Sequence, residues 1–401
     1  MKIVAHSVWL VAVVIATGDV QHVRAADWPN FRGPNHDGIV RGAGIKPERD
    51  EPLELVWERD VGSGFSSFAC VGDRTYTAGS TDGRQVLYCL DSANGNVVWK
   101  KPFEKQFEDA QGADGPRATP TVDDGRVYML GAHGKLLCCD AKTGDEIWSQ
   151  QFSHTPQWGY SGSILIEGEL AIASAGRSDG SLVAFDKKTG RRAWGVGKDP
   201  VGYATPYPFT FGGKRYIAGF LGDSALIADA KTGREVWRME WETDWYVNAA
   251  APIFSDGHLF FSSGYQHGCI LLKLTASGDR LESEIVWQSK ALRNKFQSCV
   301  LANGHLYASD DTALKCVEFL TGKSRWTEPR AKHGTVVLVD DHLLFLNQSG
   351  RLQIAAATPD GFEPLTTAEI LTGRCWTVSV VHDGKLYARN LTRLVCFDLA
   401  G

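Results

Sequence analysis

One pattern recurs eight times along this chain, and its period constrains the fold more tightly than any other feature of the sequence. The plainest copies run Thr119-Pro120, Gly125-Arg126-Val127-Tyr128, Leu136, Asp140-Ala141-Lys142-Thr143-Gly144, Ile147-Trp148 and, further on, Gly213-Lys214-Arg215-Tyr216, Asp229-Ala230-Lys231-Thr232-Gly233, Val236-Trp237. Aligned on the residue after each Gly-x-x turn, the copies fall at Tyr76, Tyr128, Ala171, Tyr216, Phe260, Tyr307, Leu344 and Tyr387, spaced 37 to 52 residues apart. A period of this length is one supersecondary unit stacked many times, each unit burying its faces against its neighbours. A doubly wound or two-layer domain is thereby excluded.

Each unit reads as four short strands. An alternating run such as Thr119 to Val122 leads to an Asp/Gly turn, a strand carrying the aligned aromatic, a Leu-x-Cys-x-Asp strand, a Lys-Thr-Gly turn and a strand ending in Trp. Asp caps such turns through nearby backbone, and Gly supplies the positive φ they need. The sequence therefore predicts an all-β, eight-bladed β-propeller of four-stranded antiparallel blades. Tryptophans at 57, 99, 148, 194, 237, 287 and 326 are expected to cover the wedges between blades, each burial contributing a few kcal/mol, while the seventh unit has none. The eighth unit stops after three strands at Asp398, and Leu53 to Trp57 is expected to supply its fourth, leaving no open sheet edge at the join.

The ends of the chain follow a different logic. Residues 1–26 hold Lys2, an apolar run from Val8 to Ala16 and the small-x-small site Val23-Arg24-Ala25, the pattern of an export signal cleaved near Ala25-Ala26. The mature chain is accordingly expected to be secreted or periplasmic, monomeric and without a transmembrane span. Residues 27–52, rich in Pro and Gly, are expected to form a leader outside every blade, laid across the propeller and anchored by Trp28 and Phe31. Residues 53–401 form the propeller.

All nine cysteines lie beyond residue 26, yet Cys89, Cys138, Cys316 and Cys396 occupy one equivalent position in four units, too far apart for a bridge. They are read as small apolar core residues. Cys138 and Cys139, adjacent in a strand, point to opposite faces. The formal net charge of −5, with no basic run, argues against nucleic acid.

The units at 140–148, 186–194 and 229–237 resemble the pyrroloquinoline quinone (PQQ) repeat, and Trp28-Pro29-x-Phe31-Arg32-Gly33-Pro34 is similar to the start of secreted PQQ-like propellers of planctomycete-type bacteria. The resemblance covers nearly all of the chain beyond the signal. It implies the propeller fold, and it is shared by quinoprotein dehydrogenases and by a non-catalytic propeller lipoprotein of outer-membrane barrel assembly. In the dehydrogenases it implies PQQ on an aromatic floor, Ca²⁺ held by oxygen ligands, a catalytic Asp and often a vicinal disulfide in a funnel loop. Here no Glu/Asn/Asp constellation matches residue by residue, and the adjacent cysteines lie inside a predicted strand. His154, His258, His267, His305 and His333 show no zinc-ligand spacing.

Counting eleven residues back from the aligned position places Phe65, Arg117, Tyr160, Ala249, Phe296, His333 and Trp376 at the start of the innermost strands, with Tyr203 joining after an insertion. They are expected to ring one mouth of the channel, with Trp158, Trp245, Tyr246, Asn248 and Lys295 on nearby loops. Such a ring can stack a flat group or a sugar and pair a carboxylate, or it can simply plug the channel. The reading is a non-catalytic envelope module with no catalytic residue, metal or cofactor, binding an envelope protein, small ligand or carbohydrate at this mouth. The alternatives are a PQQ- and calcium-dependent dehydrogenase of alcohols or sugars, and a carbohydrate-binding propeller.

Overall fold

The computed structural model describes residues 27–310 and 313–401; the export signal read at 1–26 lies outside these. Eight sheets follow one another along the chain, seven of four strands and one of five. Blade one runs from Ala69–Val71 to Val97–Lys105, and blade seven from Gly334–Val339 to Pro364–Glu369. Blade eight consists of Val380–His382, Lys385–Arg389 and Arg393–Asp398, and its outer strand is Leu55–Asp60 from the other end of the chain, paired antiparallel with Arg393–Asp398. The ring is closed as the repeat implies.

The repeated residues form one layer of alternating size across each blade. Tyr76 lies opposite Cys89 and Cys89 opposite Trp99; Tyr128, Cys138 and Trp148, then Tyr307, Cys316 and Trp326, then Tyr387, Cys396 and Trp57 repeat the arrangement. A small thiol between two large rings fills the layer without overpacking. All nine cysteines are buried and unbridged, and burial pushes the Cys138 and Cys139 thiols up to about 12, so they are inert toward oxidation.

The outer strand of every blade carries a register shift, beside the Trp position in the seven blades that have one. The extra residue bends the strand and turns the ring toward the next blade. The same bulge leaves Val98, Ile147, Val286 and Leu365 exposed on the rim. Each Trp then docks on its neighbour: the Nε1 of Trp57, Trp99 and Trp148 donates to the carbonyls of Ser92, Ala141 and Lys187 at 3.0, 3.0 and 3.1 Å. A Cβ on the turn glycines Gly95, Gly144, Gly190, Gly233 or Gly322 would fall 2.5–2.7 Å from the preceding blade's indole. The Lys-Thr-Gly signature therefore serves two ends at once, a positive-φ turn and a seat for a neighbour's tryptophan.

The expectation that the leader lies outside every blade is corrected. Ile39–Val40 pairs parallel with the innermost strand of blade seven, making that sheet five-stranded. The leader reaches the innermost strands of several blades: Trp28 pairs with Cys70 of blade one, Pro29 accepts from the Val122 N–H of blade two, and buried Arg32 donates to the Cys299 carbonyl ahead of blade six. Further along, the Lys46 N–H donates to Leu399, and Pro47 accepts from Thr366. That stretch covers the seam between blades seven and eight, where no tryptophan stands.

Candidate functional site

The innermost strands are regular only from the fourth or so residue after the ring positions, so the ring residues sit on connecting stretches between blades. Eight of the thirteen sequence-predicted residues, Phe65, Arg117, Trp158, Tyr203, Ala249, Lys295, Phe296 and Trp376, line one cavity of about 320 Å³ at the channel mouth. Phe31 of the leader also lines it, so the leader contributes to the wall of this cavity.

Two aromatic walls face the cavity. Trp376 stacks on Phe65 at 5.8 Å and 15°, meets Phe296 at 5.0 Å and stacks on His333 at 6.2 Å and 10°. Trp158 meets Tyr203 at 5.9 Å and Trp245 at 6.3 Å. Between the walls, Arg117 Nη2 donates to Asp109 Oδ2 at 2.6 Å and Nη1 to the Gly115 carbonyl at 2.9 Å. Burial pulls the Arg117 guanidinium below its ordinary value while Asp109 opposes the shift, and burial pushes the Tyr203 phenol up to about 12. Asp109 Oδ1 accepts from the N–H groups of Gln111 and Gly112 at 2.9 and 3.0 Å, so both carboxylate oxygens are engaged.

The other five predicted residues do not line the cavity. Tyr160 is 1% exposed and turns into the core beside Phe152, its hydroxyl donating to the Ala175 carbonyl at 2.8 Å. His333 packs behind Trp376 and Phe296, in contact with Gln297. Asn248 is fully buried; its Nδ2 donates to the carbonyls of Leu221, Gly222 and Trp241, and its Oδ1 accepts from Ser263 and Thr243. It thus clamps the loop that carries Trp245 and Tyr246, which stand at the rim with φ of 62° and 61°. Asp109, Gln111, Tyr265 and Phe31 line the cavity without having been picked out as site residues, because they come from loops or from the leader, where the strand register carries no information. A wider cleft of about 920 Å³ on blades three and four lies apart from this mouth; its carboxylate Asp199 is taken up by Ser181, Ser224 and Arg238.

A protein-family model described as "Outer membrane protein assembly factor BamB" matches residues 50–197, 113–328 and 222–401, overlapping stretches that together take in the propeller. The chain belongs to this BamB-type PQQ-repeat family. It is 28% identical over 371 residues to the outer membrane protein assembly factor BamB of Burkholderia pseudomallei, covering 86% of this chain and 89% of that one. It is also 29% identical over 206 residues to the quinohemoprotein alcohol dehydrogenase ADH-IIG of Pseudomonas putida, but that match takes in 49% of this chain and only 25% of the dehydrogenase. The crystal structure of BamB from Moraxella catarrhalis superposes with a TM-score of 0.62 at 16% identity, over 87% of this chain and 98% of that one. The quinohemoprotein alcohol dehydrogenase of Comamonas testosteroni superposes with a TM-score of 0.67 at 14% identity, over 95% and 82%. These superpositions establish the shared propeller.

The family's dehydrogenase members raise the question of PQQ and calcium. Calcium takes six to eight oxygen ligands. The cavity's one carboxylate has both oxygens engaged, and among the described residues no group of three or more His, Cys, Asp or Glu side chains is placed to hold a metal. The residues present do not fit the PQQ–calcium pair.

Proposed function

We propose that this BamB-type propeller is a non-catalytic binding module of the cell envelope, holding a segment of a partner protein or a small ligand at its aromatic mouth. The observation that carries this reading is the full engagement of Asp109. Among the described residues it is the one carboxylate lining the cavity, and a base must be free to accept a proton before it can act on a substrate. What remains is a surface suited to holding: apolar rings with a few convergent polar groups. The envelope setting is supported by the export pattern of residues 1–26, by the family's name, and by the described residues, among which no helix is long and apolar enough to cross a membrane.

The quinone-dependent dehydrogenase is the second reading, favoured by the partial matches to quinohemoprotein enzymes. Reconstitution separates the two. The protein incubated with PQQ and calcium is expected to leave an artificial electron-acceptor dye unreduced with alcohols or sugars, and PQQ is expected to stay in the flow-through of a desalting column. Retained PQQ together with dye reduction would overturn the binding-module reading.

A further inference from the structure

The mouth carries two cations that have no ion-pair partner among the described residues. Lys295 Nζ sits 4.5 Å from the Tyr265 ring centroid and Arg374 lies 4.5 Å over Trp376, and neither cation has a carboxylate within salt-bridge distance among the described residues. Arg374 donates only to the Gly112 carbonyl. The Trp376 Nε1 is buried with no hydrogen-bond partner. A buried donor left unpaired costs about 1–3 kcal/mol. Asp109 accepts from Arg117 and two backbone N–H groups.

The rim adds a second, independent observation. Trp245 is 61% exposed and Tyr246 is 40% exposed, and both hold left-handed backbone conformations that cost non-glycine residues about 1–3 kcal/mol each. The buried Asn248 network enforces that strain, and its effect is to hold two rings out in solvent beside the cavity. Trp158 touches Trp245 and lines the cavity, so the platform and the cavity are continuous. Exposed apolar surface maintained at a cost marks a contact site.

Resting on the binding-module reading, we propose that the mouth takes an extended protein segment in which an aromatic side chain enters the cavity and an adjacent carboxylate meets Lys295 and Arg374. The volume of about 320 Å³ accommodates one aromatic side chain with its backbone. Planar rings on the walls suit edge or offset stacking, and the two cations suit charge-assisted hydrogen bonds to the acid.

The test is calorimetric titration of the purified protein with capped hexapeptides that differ at two positions. A peptide with Phe followed by Asp is expected to bind at least tenfold more tightly than its Asp→Lys counterpart and than its Phe→Ala counterpart. The double variant Lys295→Glu, Arg374→Glu is expected to reverse the first preference, and Trp245→Ala, at an exposed position, to weaken the acidic peptide several-fold with an unchanged melting temperature. Equal binding of the Asp and Lys peptides, no binding of either, or tighter binding of chitotetraose than of the acidic peptide would each overturn the proposal. Continued co-purification of an envelope partner with the charge-reversed variant would then place that partner on another face and leave the binding-module reading standing.

Discussion

Arg117 and Asp109 form an ion pair of 2.6 Å at the floor of the mouth, their side chains only 9% and 7% exposed. Neither is available as a simple surface charge, so the pair belongs to the architecture of the cavity. Asp109→Asn keeps the shape and the bonds from Gln111 and Gly112 but strands a buried guanidinium. The expected loss is about 3 kcal/mol, read from the urea unfolding midpoint. The double variant Asp109→Asn, Arg117→Met should recover most of it, whereas an undiminished midpoint in the single variant would show that the pair contributes nothing to folding.

The turn glycines separate two effects that the sequence merges. Gly125 has φ of 70° with nothing within 4 Å of an added Cβ, while Gly144, at φ of 77°, would place that Cβ 2.7 Å from Trp99. Gly125→Ala should therefore cost only the conformational strain, about 1–2 kcal/mol, and Gly144→Ala should cost clearly more. Thermal unfolding of the two variants side by side makes the comparison, and equal losses would mean the indole seat is unimportant.

Ring closure depends on a buried cation held by backbone carbonyls. Arg389 of blade eight is fully buried and donates to the carbonyls of Gly62, Ser66, Ala78, Asn390 and Leu391, reaching from the last blade to the first, and burial pulls its guanidinium down to about 9. An ammonium group cannot reach five acceptors in one plane. Arg389→Lys is expected to lower the unfolding midpoint nearly as much as Arg389→Met, by about 3 kcal/mol or more, because several buried carbonyls lose their donor. Full rescue by Lys would refute the multidentate role.

The leader introduces a pH dependence. Burial first, and Arg215 next, hold His36 down at about 4. Its unfolded-state value lies near 6.5, so between pH 6.5 and 4 the unfolded chain binds the proton that the folded one excludes. Stability is therefore fully present above 6.5 and declines as pH falls toward 4. His36 has φ of 58°, a conformation Asn tolerates, so His36→Asn is expected to flatten the decline in melting temperature between pH 7 and pH 4.5. An identical pH profile in the variant would remove His36 from the account.

The fold was legible in the sequence because each repeat states its own packing. Tyr, Cys and Trp at fixed offsets are one layer of the core, and the missing fourth strand of the last unit could be matched to the only unassigned stretch ending in Trp. The site was half legible. Counting back eleven residues found Phe65, Arg117, Phe296 and Trp376, but register fixes where a residue stands and leaves open where its side chain points. Tyr160 turned inward because the Ala175 carbonyl and Phe152 offered it a partner and a packing face. Asn248 has the same character: an amide with four bonding positions is worth more buried among carbonyls than at a rim. Phe31 and Asp109 reach the mouth through loops, whose positions depend on long-range contacts. The leader's strand at Ile39–Val40 is two residues long and has no periodicity to read.

The most direct measurement replaces Trp245, on the rim, with the photo-crosslinking residue p-benzoylphenylalanine in cells. Leu320, exposed to a similar degree on a turn of blade six, serves as the control position. A discrete envelope-protein adduct is expected at position 245 that disappears when the acidic aromatic peptide is added in excess, with no such adduct at 320. The same adducts at both positions, or none at 245, would contradict the claim that the mouth is where this propeller does its binding.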